Sequence, residues 1–292
     1  MFIVKYKKVF VIISALLVTL SIGAIVYFGL NLGIDFKGGA LTEIEYMTVR
    51  PEQSVVENNI STASVGQALV QPVGTNGYSI KTRDITDKEH QALLTSLGSD
   101  VKEKSFTSIG PSVGAELVRK AIICFILVSL GIIFWIAFSF RKVSKPVSSW
   151  KYGLIAIVTL IHDIIIPVGV FAVLSSVYGV EVDTLFVVAI LTVLGLSVSD
   201  TIVVFDRIRE NIRLNHWKTF EETVGNSISQ VYTRSIATSA TVIMALISLV
   251  FFGPKSTKVF AMMLTAGMFF GTYSSIFLAS PLLVFVKNWQ KK

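Results

Sequence analysis

Three ionisable side chains stand where the chain is otherwise apolar: Asp163, Asp200 and Arg234. A charge at the centre of a membrane helix costs about 2.5–3.5 kcal/mol on insertion scales, so one retained there faces protein or water rather than lipid. Two acids and a base in such surroundings suit proton transfer. Burial disfavours an ionised carboxylate and a neighbouring guanidinium favours it, so an aspartate that alternates between the two binds a proton in one state and releases it in the other. Each residue also has a plainer reading. Arg234 could snorkel to the headgroups, Asp200 could be a packing acid satisfied by hydroxyls, and Asp163, next to His162, could only hold helices together.

Six apolar runs must position these groups: Val9–Leu30, Leu117–Phe138, Leu154–Val177, Leu185–Phe205, Ser235–Phe252 and Val259–Val286. Each is long enough to cross a hydrocarbon core of about 30 Å as a helix. At 1.5 Å per residue, Asp163 lies about 18 Å from the cytoplasmic end of the third helix near Lys151, Asp200 about 24 Å from the outer end of the fourth, and Arg234 about 27 Å from the outer end of the fifth. Asp200 and Arg234 therefore share a depth on consecutive helices and can pair. Small and hydroxylated residues surround them: Gly195, Ser197 and Ser199 on the fourth run, Thr238 and Ser239 on the fifth, Gly267 and Gly271 on the sixth. These suit close helix approach and interhelical hydrogen bonds. Pro167 predicts a kink in the third.

Composition agrees with a membrane chain. Of 292 residues, 52% are hydrophobic and 15% charged, against about 25% charged in ordinary globular chains. The first run follows Lys5, Lys7 and Lys8 as a signal peptide would, but it is too long for a signal core and reads as a retained helix. Arg141, Lys142, Lys145 and Lys151 follow the second run, Arg207, Arg209, Arg213 and Lys218 the fourth, and Lys287, Lys291 and Lys292 the last. The positive-inside rule puts these loops and both termini in the cytoplasm. Cys124, alone of its type, reads as a small core hydrophobe.

One sizeable polar piece remains, Asn31–Glu116, on the outer side. It carries seven Lys/Arg against eleven Asp/Glu, a net of −4, leaving +11 of the overall +7 on the remainder. Ala40–Met47 alternates as a strand, and Pro51 opens a short helix through Ile60. Gly66–Val73 and Tyr78–Arg83 form two strands around the turn Gly74–Gly77. Thr86 with Glu89 forms a capping box for a helix through Leu97 that Gly98 ends, and Val101–Ile109 is the last strand. The order βαββαβ predicts a ferredoxin-like, split-βαβ domain. The fold class is thus a polytopic α-helical membrane protein of six helices with a small α+β extracytoplasmic domain. The chain has no Walker loop, no His/Cys metal cluster (His90, His162 and His216 are scattered), no Gly-x-Ser-x-Gly and no paired catalytic acids. An enzyme, a cofactor and nucleic-acid binding are not expected.

Four segments carry a family resemblance. Gly33–Gly39 (GIDFKGG) resembles the glycine signature of the SecD/SecF family, and Ile109–Leu117 (IGPSVGAEL) its next motif. Asp200–Asn211 (DTIVVFDRIREN) is similar to the family's run at the end of the fourth helix, and Thr233–Ser239 (TRSIATS) to the start of its fifth. The family belongs to the resistance-nodulation-division superfamily of proton-driven devices. The resemblance implies that Asp200 is the intramembrane acid, Arg234 its basic partner and Asp163 a third-helix acid. It also implies that Gly33, Asp35, Gly38 and Gly39 form an outer motif, and that Asp206, Arg207 and Asn211 form a cytoplasmic one. Many members have Asn where this chain has Ser199 and Tyr where it has Leu196. Implied partners are SecD as the other half of a heterodimer, the SecYEG channel with its SecA motor, accessory proteins of the YidC and YajC type, and unfolded preprotein, in a bacterial or archaeal cytoplasmic membrane. The rival readings are a small-molecule or lipid exporter of the same superfamily and a passive assembly factor.

Overall fold

The computed structural model describes residues 2–63, 65–139, 147–214, 217 and 219–289. Arg141, Lys142, Lys145, His216, Lys218, Lys291 and Lys292 lie outside the described residues. Two compact units are present: Leu32–Ile123, and Met1–Asn31 together with Cys124–Lys292.

The smaller unit contains α3 (Ile34–Lys37), β1 (Gly39–Tyr46), α4 (Gln53–Ser61), β2 (Leu69–Val73), β3 (Gly77–Thr82), α5 (Asp87–Leu97) and β4 (Val101–Ile109). The sheet order is β2-β3-β1-β4, with every pairing antiparallel. This is the expected ferredoxin-like arrangement. Ala40, Ile44 and Tyr46 of β1, Tyr78 and Ile80 of β3, Val56 and Ile60 of α4, and Leu93 and Leu97 of α5 form its core. The period of two along β1 and of about 3.6 along the helices places those side chains on one interface. Thr86 and Glu89 form the capping box: Thr86 N donates to Glu89 Oε2 at 2.8 Å, and Glu89 N donates to Thr86 Oγ1 at 3.4 Å. Pro51 does not open α4. Glu52 is the N-cap and Gln53 the first helical residue, so Pro51 lies in the extended approach, where its fixed φ is equally at home.

The larger unit contains α1 (Phe2–Lys5), α2 (Lys7–Phe28), most of α6 (Pro111–Ser139), α7 (Ser149–Tyr178), α8 (Thr184–Leu214), α9 (Phe220–Phe252), α10 (Lys255–Ser274), a π-helical turn (Ser275–Ala279) and α11 (Ser280–Trp289). Six of these segments, with α10 to α11 as one, are long and apolar enough to span a membrane. The helices overrun the apolar stretches. α8 continues nine residues past Phe205, and α9 begins fifteen residues before Ser235. Both extensions are amphipathic: Phe205 and Ile208 of α8 pack with Phe220, Val224, Ile228 and Val231 of α9 in the core. α7 runs through Pro167 without a break; the missing N–H is the one that would bond the carbonyl of Asp163, four residues back.

α7, α8 and the α10–α11 segment supply the centre of the bundle, whereas α2, α6 and α9 leave most of their apolar surface exposed. Cys124 follows from this. It is exposed rather than buried, because α6 presents its surface outward and offers no core at that position.

Candidate functional site: a polar layer at mid-helix

The turn between α7 and α8 sets the layer. Gly179 adopts a left-handed conformation (φ 64°) that ends α7, Ser175 Oγ donates to Val180 O at 2.6 Å, and Asp183 Oδ1 caps α8 by accepting from Phe186 N at 2.7 Å. Counted from that end, Asp163 is fifteen residues before Tyr178, and Asp200 is sixteen after Thr184. Arg234 is eighteen residues before the Phe252 end of α9. All three stand near the middle of their helices, about 22–27 Å from those ends at 1.5 Å per residue.

At the opposite end of α8 the motif residues fasten α8 to α9. Asn211 Nδ2 donates to Ser227 Oγ and Gln230 Oε1, both at 2.8 Å, and Arg207 Nε donates to the same Gln230 oxygen at 2.6 Å. Arg207 also pairs with Glu210 at 2.6 Å, and Asp206 with Arg209 at 3.2 Å. Thr219 and Glu222 cap α9 with a second capping box. The Asp206–Asn211 motif therefore fixes the register between the helix carrying Asp200 and the helix carrying Arg234.

Asp163 is fully buried and tied to three helices. His162 Nδ1 lies 2.8 Å from Oδ1; on Oδ2 it accepts from Ser197 of α8 in a short hydrogen bond and from Ser274 of α10 at 2.7 Å. His162 is 2% exposed, its ring stacks near Tyr273, and its Nε2 is buried without a hydrogen-bond partner among the described residues. Nearby hydroxyls extend the network. Thr201 and Ser275 share a hydrogen bond at 2.8 Å, and Thr272 donates to Ser239 at 2.6 Å.

Asp200 and Arg234 line one cavity of about 170 Å³ between α8, α9 and α10, together with Ser197, Ser199, Ser235, Thr238, Ser239, Gly271 and Thr272. No ion pair joins Asp200 to Arg234 among the described residues. Asp200 Oδ2 and Ser235 Oγ are buried there with no close hydrogen bond among the described residues, although the two side chains lie near each other, and such atoms are the kind that water satisfies.

The glycines divide into two groups. A Cβ at Gly267 would stand 2.1 Å from Val193 Cγ2, and one at Gly271 would stand 3.1 Å from Ser197 Cβ, so both let α10 lie against α8. Gly195 meets nothing within 4 Å and is exposed in this chain; it plays no part in packing inside it. In the smaller unit Gly33 caps α3. Gly38 (φ 79°) and Gly39 (φ 142°) each leave room for passing backbone: a Cβ would meet Pro111 Cα at 2.8 Å and Thr82 O at 2.8 Å respectively. Asp35 lies in the first turn of α3.

Ser274, Ser275 and Thr272 were not singled out from the sequence. Their signal was a run of hydroxyls inside an apolar stretch, one to four residues beyond Gly271.

A six-helix bundle with acids and a base in one layer near the middle of its helices, and a ferredoxin-like lobe inserted after its first helix, defines a class of polytopic membrane device. Comparison with known proteins gives the family. Residues 89–289 match the model of the protein export membrane protein SecD/SecF, C-terminal, and residues 23–46 match the SecD/SecF GG motif. The chain is 42% identical to the protein translocase subunit SecF of Thermobaculum terrenum, over 99% of this chain and 94% of that one. It is 33% identical to the SecF of Haemophilus influenzae, over 94% and 82%. Its structure resembles the crystal structure of SecDF, a translocon-associated membrane protein, from Thermus thermophilus. The TM-score is 0.82 at 29% identity, covering 99% of this chain but 38% of that chain. A second SecDF structure, in a super-membrane-facing form, gives a TM-score of 0.70 at 28% identity, again over 99% of this chain and 39% of the other. The chain belongs to the SecD/SecF family of protein export membrane proteins, as a multi-pass membrane protein and an accessory subunit of the Sec translocase.

Proposed function

We propose that this chain couples proton entry to preprotein export, working with a SecD partner beside the SecYEG channel after or alongside the SecA motor. Accessory proteins of the YidC and YajC type complete the assembly. The solved SecDF chain is more than twice as long as this one, and the region outside the match is where a SecD half would lie; the partnership rests on that likeness. Both termini face the cytoplasm of a bacterial or archaeal cell, and the ferredoxin-like lobe faces outward.

The observation that carries the reading is the shared cavity of Asp200 and Arg234 between α8, α9 and α10. An ionised Asp200 attracts the guanidinium across that cavity. A proton on Asp200 removes the attraction, and α8 and α9 then prefer a different separation at this level. The Asn211–Gln230–Arg207 clasp holds their far ends together, so the adjustment is a change of angle about that clasp. The lobe is joined directly to α2 and α6 by the chain and moves with them, holding or releasing unfolded polypeptide. Moving one charge through 100 mV is worth about 2.3 kcal/mol, within the range of about 1–3 kcal/mol typical of coupling between sites. One proton therefore suffices to bias the switch.

The test is Asp200→Asn in proteoliposomes holding the full translocase, with preprotein export measured with and without an imposed proton gradient. Loss of the gradient-dependent part at normal abundance is expected. Unchanged stimulation refutes the reading, and loss of abundance alone supports a passive assembly role.

A further inference from the structure

Ser197 belongs to two polar systems at once. It lines the cavity shared by Asp200 and Arg234, and its hydroxyl is hydrogen-bonded to Asp163 Oδ2, deep inside the bundle. It precedes Asp200 by three residues on α8, so the two side chains lie on one helix face. The cavity has room for several water molecules, and Asp200 Oδ2 and Ser235 Oγ, buried with no close hydrogen bond among the described residues, are groups that would hold them.

Asp163 has no comparable opening of its own to the cavity. It is completely buried, and its contacts are His162 on the same helix, Ser197 on α8 and Ser274 on α10. The two serines differ. Ser274 Oγ lies 3.0 Å from the carbonyl of Gly271 as well as 2.7 Å from Asp163, so its one proton is divided between two acceptors, and it does not line the cavity. Ser197 does line it.

We propose that Asp163 is a second proton-binding station, in series with the Asp200 cavity, and that the Ser197 hydroxyl is the link between them. The inference rests on the proton-coupled reading above. In the transfer, protonated Asp200 gives its proton to a cavity water, breaking the carboxyl O–H bond, as that water gives one to Ser197 Oγ, forming a serine O–H bond; the water ends unchanged and Asp200 ends as a carboxylate. The original Ser197 proton passes to Asp163 Oδ2, breaking the serine bond and forming a carboxyl O–H bond. Ser197 ends as it began, and the carboxylate becomes a neutral carboxyl group. His162 Nδ1 keeps Oδ1 occupied, so Oδ2 is the oxygen presented to Ser197. Other titratable groups facing this line are Tyr273, stacked beside His162 from α10, and Asp200 and Arg234 across the cavity.

The experiment compares Ser197→Ala, Ser274→Ala and Asp200→Asn in proteoliposomes containing the full translocase. It measures gradient-stimulated export in H₂O and D₂O across pH, together with the abundance of each variant. Both serine variants remove one hydroxyl from the same carboxylate oxygen, so a purely structural role predicts loss of abundance or stability rather than loss of gradient-stimulated export at normal abundance. The relay predicts that Ser197→Ala lowers gradient-stimulated export by about tenfold or more, while Ser274→Ala stays within about twofold of the parent protein. If Ser197→Ala reduces abundance, Ser197→Cys replaces it: the relay predicts a shifted pH profile and a changed D₂O effect, and a structural role leaves both unmoved. Equal effects of the two serine variants, with Asp200→Asn still inactive, overturn the series link and leave the proton-coupled reading standing. Full activity of Asp200→Asn overturns both.

Discussion

Replacing Gly267 by alanine tests the packing of α10 on α8. The added carbon would lie 2.1 Å from Val193 Cγ2, 2.7 Å from Cγ1 and 3.0 Å from Cβ, whereas carbon atoms rest at about 3.5–4.0 Å. Val193 cannot turn aside cheaply. A helical valine has essentially one χ1 rotamer, leaving it costs about 0.5–1.5 kcal/mol, and the approach of its Cβ would remain. The helices must separate, loosening buried Met263 and Leu264 beside Gly267. Overpacking of this kind costs about 1–3 kcal/mol. Gly195→Ala is the internal control. Nothing stands within 4 Å of that position, and alanine is the better helix former by about 1 kcal/mol, so it should be neutral or mildly stabilising. Unfolding of the purified chain in mixed micelles gives the free energies, and Val193→Ala closes a double-mutant cycle. A coupling of about 0.5–3 kcal/mol between positions 193 and 267 is expected. If Gly267→Ala matches Gly195→Ala, or if the Val193 and Gly267 effects simply add, the close contact is not a property of the protein.

Two further predictions concern the lobe. The Glu89 carboxyl is held down to about 2, chiefly by its hydrogen bond to Arg83 and then by those to Thr86 N and Oγ1. A depressed carboxylate contributes stability above its unfolded value, near 4.3, and loses it as pH falls toward the folded value. Thermal unfolding of the lobe should therefore weaken between about pH 4.3 and 2, less steeply in Glu89→Gln, and high salt should shrink the difference because the site is exposed; identical pH profiles refute this. Gly38→Ala should destabilise the lobe through both the positive φ, about 1–2 kcal/mol, and the approach to the Pro111 backbone at 2.8 Å. Limited proteolysis of the lobe in intact membranes reads this, and unchanged resistance would show the motif glycines are not needed for that approach.

What the sequence revealed, and what it hid, follows from which physical quantity each pattern encodes. The lobe was legible because alternation in β1, the Thr86–Glu89 cap and Gly98 are local signals, and short-range structure obeys them. Hydropathy marked the membrane stretches but missed the helix extensions, since it measures apolar length, and an amphipathic helix leaving the membrane loses mean apolarity while keeping its stripe. Phe220, Val224, Ile228 and Val231, at spacings of four, four and three, carried that stripe in plain view.

Depth along a helix is arithmetic, so the shared depth of Asp200 and Arg234 could be counted from the sequence. Direction around the helix is a different quantity. It depends on which helix lies alongside, and in an all-apolar span every face looks alike. That is why Ser197 could be named while Ser274, its counterpart on the same carboxylate, could not: Ser274 immediately precedes a π-helical turn, where the residue period shifts and a face counted at 3.6 residues per turn goes astray. The same distinction separates Gly195 from Gly267, identical in type and near in depth, one open to its surroundings and the other pressed on Val193. In this bundle, then, residue type and depth select the candidates for proton chemistry, and azimuth decides the circuit. Among the described residues Ser197 is the side chain that both lines the cavity and bonds the buried carboxylate, which is the position the proposed link between the two acids requires.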